Sequence, residues 1–345
     1  MDYSQIVNPI NHSNWDRLVL AHPNYSFFHS SAWARVLHES YGYKPLYFTI
    51  FEGDNISACL PVMEIHSFVT GKRGVSLPFT DYCEPLVRDQ AQFDSLLSHA
   101  RECGRRAGWK YLELRGGLDF LTGVKPSSTY LGHTLDLTPG VAALFESLRD
   151  STRRNIKKAQ SEDVETTSND SVESVREFCR LNSLTRKEHG LPPQPHRFFD
   201  RLHENVIAEG LGTVILASHH NTTIAAAIYL HIGNKAVYKY GASDRGHQHL
   251  RANNLVMWEA IKLHASQGFK SLCFGRTDID HDGLKQFKAG WGGQEHPISY
   301  YRHDVRRNGF ISKQPRANGF SSAIFGKMPI PVLNLIGSLA YRHMG

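Results

Sequence analysis

One order of elements occurs twice in these 345 residues, and it constrains the fold more than any other feature. Residues 45–65, "PLYFTIFEGDNISACLPVMEI", alternate apolar and polar side chains into the turn "EGDN" and out again, the pattern of a β-hairpin. Residues 211–232, "LGTVILASHHNTTIAAAIYLHI", do the same around "SHHN". A strand follows each, "GVSLPFTDY" and "AVYKYGASD". Next come a polar loop and a helical segment, "FDSLLSHARECGRRAG" and "LVMWEAIKLHASQG", each leading to a glycine suited to a helix C-cap, Gly108 and Gly268. Both helices then enter strands of similar wording, "GWKYLELR" and "GFKSLCFGR". Equivalent features lie roughly 160 residues apart, so the chain reads as two copies of one domain-sized unit joined near 139–150.

Composition sets wide bounds. Hydrophobic residues make up 41% and charged residues 21%, enough for each half to bury a core. The net charge of +6 admits a nucleotide, RNA or an anionic membrane surface as partner without requiring one. Five cysteines with no CxxC spacing suit a reducing compartment, and no Cys/His pair has the spacing of a closed zinc site. The start, "MDYSQIVNPINHSNWDRL", lacks the basic and apolar runs of a signal peptide, and no apolar stretch is long enough to span a bilayer. The expectation is a cytoplasmic protein.

Several stretches together carry a family resemblance: "FFHSSAWARVL", "LPFTDYCEPL" at 77–86, "RRNIKKA" at 153–159, "YKYGAS" at 238–243, "NNLVMWEAI" at 253–261, "FGRT" at 274–277 and "GLKQFKAGWGG" at 283–293. In this order the chain resembles the Fem-like acyl- and aminoacyltransferases, which are tandem GNAT proteins, and within them the subgroup that accompanies exopolysaccharide and exosortase systems. The resemblance implies an α/β fold with mixed sheets: a first GNAT-like unit over 1–140, a catalytic second unit over 141–310, and a tail over 311–345 with an amphipathic helix. It also implies acyl-coenzyme A or aminoacyl-tRNA as co-substrate, no tightly bound cofactor and no metal.

Candidate residues cluster in four places. In "STRRNIKKAQ", Ser151 or Thr152 can cap a helix, and Arg153/Lys157 and Arg154/Lys158 are four apart, so each pair shares a face. Such a run is either a solvated basic face or a patch for phosphate; the resemblance favours the second. The loop "SDRGHQHLRANN" stands where GNAT enzymes hold the pyrophosphate of coenzyme A, and a helix start favours an anion there. It has only fragments of the usual wording, which leaves Arg251, Asn253 and Asn254 as caps or ligands. In the first unit, Asp81, Tyr82 and Glu84 of "LPFTDYCEPL" are either turn chemistry or the lining of a pocket. In "YKYGAS", strand alternation places Tyr238 and Tyr240 on one face, one as core and the other, Tyr240, as a hydroxyl that positions substrate.

The fourth place is "FGRTDIDHDGLKQFKAGWGG". Arg276 and Asp278 leave a strand, Leu284 and Phe287 anchor a short helix, and Lys285 and Lys288, three apart, can converge on one anion. The glycines of "GWGG" can bend closely over a ligand. The resemblance implies that Lys288 lies in the active site and supports the oxyanion formed when an amine attacks an ester or thioester. Asp278 is the candidate acceptor for the amine proton. No nucleophilic triad is suggested, which implies direct transfer.

The tail, "KMPIPVLNLIGSLAYRHMG", places Val332, Leu333, Leu335, Ile336 and Leu339 on one apolar face, with Asn334, Ser338 and Arg342 away from it. Residues 328–343 either pack on the body or rest on the inner membrane face or a membrane enzyme, helped by Lys327 and Arg342. Three readings of function follow: transfer of an acyl or aminoacyl group to an amine on a cell-envelope or exopolysaccharide precursor, a non-catalytic scaffold in envelope assembly, or an RNA-binding module.

Overall fold

A computed structural model describes residues 4–312 and 320–345; residues 1–3 of the expected first unit and 313–319 of the expected tail lie outside the described residues. The chain begins with β1 (Gln5–Val7), α1 (Trp15–Leu20), α2 (Ser31–Tyr41), β2 (Lys44–Glu52), β3 (Asn55–Ser67), β4 (Gly71–Val75), α3 (Gln90–Ala107) and β5 (Tyr111–Arg115). It continues through β6 (Ser128–Asp136), α4 (Val141–Ser147), α5 (Asp150–Ser161), β7 (Glu165–Asn169), α6 (Val172–Glu188) and α7 (His196–Leu202). The second repeat follows as β8 (Gly212–His219), β9 (Thr222–Ile232), β10 (Lys235–Ser243), α8 (Ala252–Ser266), β11 (Ser271–Asp278) and α9 (Asp282–Ala289). Then come β12 (Gln294–Asp304), β13 (Gly309–Ile311), α10 (Phe320–Lys327) and α11 (Ile330–Met344).

These elements form two compact units, one of Met1–Leu131, Pro297–Arg316 and Tyr341–Gly345, the other of Gly132–His296 and Ala317–Ala340. The division departs from the contiguous 1–140, 141–310 and 311–345 of the sequence reading, for two physical reasons. Residues 300–304 of β12 pair antiparallel with β5, Tyr300 opposite Arg115 and Asp304 opposite Tyr111, which draws that segment into unit 1. Near the end of the chain, the buried Arg73 guanidinium donates to the carbonyls of His343 (2.8 Å) and Gly345 (2.6 and 2.8 Å).

Both units repeat one topology. In unit 1, β2 and β3 form the hairpin, β4 lies antiparallel to β3, and β5 returns parallel to β4 after the α3 crossover, with Gly74 opposite Leu112. In unit 2, β8 and β9 form the hairpin, β10 lies antiparallel to β9, and β11 runs parallel to β10 after α8, with Ala236 opposite Leu272. The β8–β9 turn is His220–Asn221, both at positive φ (48° and 61°), the twist that a two-residue hairpin turn requires. The first repeat departs from its expected strand: β4 stops at Val75, and Leu77 and Phe79 both take φ 60°, outside strand geometry.

The strands of each unit are covered on both faces. In unit 1, Leu46, Phe48 and Ile50 pack under Phe93, Leu96 and Leu97 of α3, while Tyr47 points the other way onto Trp15 of α1. In unit 2, α8 covers one face with Leu255, Val256 and Ile261, and α6 and α7 cover the other with Phe178, Phe198 and Phe199. Each fully buried side chain of this size contributes about 1.5–3 kcal/mol, so both units have a core of their own.

The tail helix differs from its expected face. Leu333 is buried, and Gly337 lies so close to the Pro193 carbonyl that a Cβ there would meet it at 2.1 Å. Val332, Leu335 and Leu339 are exposed, and Ser338 and Arg342 are exposed with them rather than facing away. Among the described residues, no helix is long and apolar enough to cross a membrane.

Candidate functional site

Two adjoining concavities of unit 2 lie by a fault in β10. The register slips between Tyr238, opposite Tyr229, and Tyr240, opposite Ile228, leaving Lys239 as an extra residue. A bulge of this kind breaks alternation, so the two tyrosines do not share a face as the sequence reading had it. Tyr238 packs toward α8 beside Tyr229, 5.5 Å between ring centroids. Tyr240 instead enters an aromatic cluster of Phe178, Phe198 and Phe199, with centroids 5.6–6.2 Å away. Tyr238 is therefore the tyrosine that lines a pocket.

That pocket, about 280 Å³, is walled by Ala226, Ala227 and Met257 on one side and Leu284 and Phe287 of α9 on the other. The Tyr238 hydroxyl crosses the space above Gly241, where a Cβ would come within 1.7 Å of it. Any other residue at 241 would displace the Tyr238 hydroxyl. Burial pushes the Tyr238 hydroxyl up to about 12, so it stays protonated and able to donate at neutral pH.

A second cavity of about 420 Å³ shares Ser243, Asn253 and Phe287 with the first and is strongly polar in character. Two helices present their first turns to it. Arg149, Ser151, Thr152 and Asn155 come from the start of α5, and Arg251, Asn253 and Asn254 from the start of α8. Arg251 caps α8 at φ 61° with no side-chain hydrogen bond to the helix, while its carbonyl accepts from Asn254 N–H at 2.9 Å. The one carboxylate in the lining, Asp244, is turned onto its own loop, accepting from Gly246 N–H at 2.9 Å and facing His247 Nδ1 at 3.2 Å. Two arginines at two helix N-termini make this cavity favourable for an anion. Asn253 donates to Ser243 Oγ at 3.0 Å, which ties the helix start to the end of β10.

The structure thus brings Arg251, Asn253 and Asn254 together with Arg149, Asn155, His247 and Gln286, which the sequence does not single out, and with Tyr238, which it assigns to the core. Arg149 stood two residues before "STRRNIKKAQ"; the helix starts at Asp150, so Ser151 and Thr152 belong to its first turn rather than its cap. The basic run behaves differently from the phosphate patch. Arg153 is held by the Glu146 carboxylate and carbonyl and by Asp150, and Lys157 and Lys158 are exposed beyond the cavity lining.

The "FGRTDIDHDGLKQFKAGWGG" stretch also separates. Lys288 is buried, 3% exposed, and its Nζ donates to the carbonyls of Gly275 (3.0 Å) and Arg276 (2.9 Å). Lys285 pairs with Asp282 at 2.8 Å, so the two lysines do not converge. Arg276 and Asp278 are exposed at the end of β11. Trp291 is fully buried, and Gly290 and Gly293 back onto Thr152 and Phe274 rather than arching over open space. His133, buried beside Glu295 Oε2 at 3.4 Å, is held below its ordinary pKa by burial and by the nearby Lys288 charge.

In unit 1 the corresponding segment is occupied by protein. The Asp81 carbonyl accepts from the Tyr300 hydroxyl, and the Glu84 carboxylate accepts from Gly117 N–H. Burial raises the Glu84 pKa, and the Gly117 bond partly offsets it. Tyr82 is half-buried beside them. These residues hold a loop together, the turn-chemistry alternative of the sequence reading. No group of three metal-ligating side chains occurs among the described residues.

Comparison with known proteins follows the same division. Residues 146–289 match the acetyltransferase (GNAT) domain family. Over 98 residues the chain is 29% identical to the lipid II:glycine glycyltransferase of two Staphylococcus epidermidis strains. The match covers 27% of this chain and spans 22% of the length of those curated relatives. The crystal structure of FemX superposes with a TM-score of 0.69 at 14% identity, covering 86% of this chain and 96% of that one. The chain thus carries a GNAT domain and has the fold of FemX. A tandem GNAT protein from the clavulanic acid biosynthesis pathway gives a TM-score of 0.56 at 13% identity, over 92% and 99% of the two chains. The GNAT match spans α5, the β10 bulge, α8 and α9, the elements that build the paired cavities.

Proposed function

We propose that unit 2 transfers an acyl or aminoacyl group, from a thioester or aminoacyl-tRNA donor, to an amine on a cell-envelope or exopolysaccharide precursor. One observation carries this reading: an anion-favouring cavity at the uncapped start of α8 leads into a narrower pocket lined by a protonated tyrosine. Phosphates of the donor bind at Arg149 and Arg251, and the acyl arm passes Asn253 into the pocket between Ala226, Tyr238 and Phe287. The Tyr238 hydroxyl donates to the carbonyl oxygen as negative charge develops there. The amine attacks the acyl carbonyl directly and loses its proton at Asp278, exposed at the end of β11, and the tetrahedral intermediate collapses by breaking the bond to the donor's sulfur or ribose oxygen, which leaves with a proton. Lys288 is a positioning residue: by holding the Gly275 and Arg276 carbonyls it fixes the direction in which Arg276 and Asp278 leave the strand. The matched stretch of a lipid II:glycine glycyltransferase supports an envelope precursor as acceptor; the inner membrane face, with 328–343 near it, is the place of action that this reading proposes.

The test is a titration of purified protein with acyl-coenzyme A species and, separately, with a charged tRNA pool. The expected result is saturable binding of one donor class, weakened about tenfold or more by Arg251→Ala and again by Arg149→Ala. Tyr238→Phe is expected to lower turnover while leaving donor affinity within about twofold. Saturable binding of neither class would overturn the proposal and leave a scaffold as the alternative.

A further inference from the structure

A second feature lies in unit 1, away from the cavities, at the turn between β3 and β4. Phe68 is 87% exposed and Val69 63% exposed, side by side at the tip. Single exposed apolar side chains are ordinary, but this pair sits on a braced support. Ser67 Oγ accepts from Val69 N–H (3.2 Å) and Thr70 N–H (2.9 Å), which closes the turn on itself. The Phe68 ring meets the His343 ring edge-on at 4.7 Å, and His343 Nδ1 lies 2.9 Å from Ser67 Oγ. Arg73, buried behind the turn, donates to Thr70 Oγ1 at 2.6 Å and to the His343 carbonyl at 2.8 Å. The tip is therefore held outward by a network.

The charged side chains next to the tip on its own turn and on the tail are cations. Lys110 Nζ donates to the Thr70 carbonyl at 2.9 Å, Lys72 follows the turn, and Arg342 is exposed beside His343. Neither 65–80 nor 341–345 contains an Asp or Glu. An exposed apolar tip of two side chains is far smaller than the ~1,200–2,000 Å² of a stable protein interface. It has the form that suits shallow insertion at a bilayer surface, apolar at the point with cations at headgroup level.

We propose that the β3–β4 turn is a membrane finger: Phe68 and Val69 enter the acyl boundary of an anionic bilayer while Lys72, Lys110 and Arg342 engage its phosphates. This inference stands independently of the transferase reading, and it names the surface on which a lipid-linked acceptor would be met.

The experiment is cosedimentation of the full chain with phosphatidylcholine vesicles, with and without phosphatidylglycerol. Binding is expected only with phosphatidylglycerol, falling at least about tenfold in Phe68→Ser/Val69→Ser and about fivefold in Lys72→Gln or Arg342→Gln. Donor titration without vesicles should be unchanged in these variants, which separates failure of this proposal from failure of the transferase reading. Equal binding to phosphatidylcholine alone, no binding to either vesicle, or binding indifferent to Phe68→Ser/Val69→Ser would overturn it. Phe68→Trp gives a second readout that keeps the tip apolar: its emission should shift to the blue on anionic vesicles, and an unshifted spectrum would count against insertion.

Discussion

The helix that crosses between the parallel strands begins differently in the two units, and that difference separates a support from a site. In unit 1, Asp89 caps α3, its carboxylate accepting from Gln92 N–H at 2.9 Å, and Gln92 Oε1 accepts in return from Arg88 N–H at 2.9 Å. The positive end of that helix is neutralised by the chain itself. In unit 2, Arg251 stands at the same position with no side-chain cap, and α8 opens on a polar cavity. The strands before these helices differ in the same sense. Past β4, the Leu77–Glu84 segment is tied down by Arg115, which donates to the Leu77 and Thr80 carbonyls, and by the Glu84–Gly117 bond. β10 instead carries a bulge and a glycine that leave room beside Tyr238. One topology thus yields a helix start that is closed in unit 1 and open in unit 2, by the choice of cap and of bulge.

The strongest way to break this comparison is to damage the closed unit and look at the open one. Glu113 is 5% exposed and lies between Arg115 Nε at 3.0 Å and Arg302 at 2.6 Å. Burial pushes its carboxyl up, but Arg115 and Arg302 together outweigh that and hold it below the ordinary range. Glu113→Ala leaves two guanidiniums without their shared carboxylate and is expected to cost about 3–5 kcal/mol in a urea melt. Because the folded pKa is depressed, the wild-type contribution is complete above the ordinary carboxylate pKa and is lost as pH falls through the folded value. In native buffer the variant should still bind donor at wild-type affinity. A parallel loss of donor binding would mean that unit 1 contributes to the site.

A smaller effect concerns the core of the open unit. His264 is fully buried, its Nδ1 facing the Ala260 carbonyl at 2.8 Å, and burial pushes its pKa down to about 4. The unfolded chain takes up this proton near the ordinary histidine value, so stability falls as pH drops from that value toward the folded pKa. The loss is about 2 kcal/mol by pH 5. His264→Phe should flatten this acid limb in melts followed across pH. An unchanged limb would assign the acid sensitivity elsewhere, for instance to His303 of unit 1, also pushed down to about 4 by burial and Arg101.

Much of this architecture was legible in the sequence because it rests on period and punctuation. The hairpins, the glycines after α3 and α8 and the strands that follow them are local signals, and each local choice agrees with the fold. The site was less legible because it depends on events that shift register. The bulge at Lys239 sends Tyr238 and Tyr240 to opposite faces, and strict alternation cannot foresee it. Lys288 was visible as a lysine of the "FK" pair, but the carbonyls it holds, at Gly275 and Arg276, lie on a neighbouring strand. Arg153 looked like an anion ligand until Glu146 and Asp150 were seen to occupy it. Arg149 carried no motif at all, and only the packing of α5 beside α8 and α9 brings it to the cavity.

The finest test acts on the cap that closes unit 1. Asp89→Ala removes the acceptor for Gln92 N–H and leaves the start of α3 uncapped, as α8 is, at an expected cost of about 1 kcal/mol. If the absence of a cap alone made a helix start into a donor site, this variant would acquire a second binding event in the donor titration. It should not, because the segment before α3 stays pinned by Arg115 and Glu84. A calorimetric stoichiometry that remains at one donor per chain, with a slightly lower melting temperature, would show that cap and bulge are both needed. A second site would reduce the difference between the units to a single carboxylate.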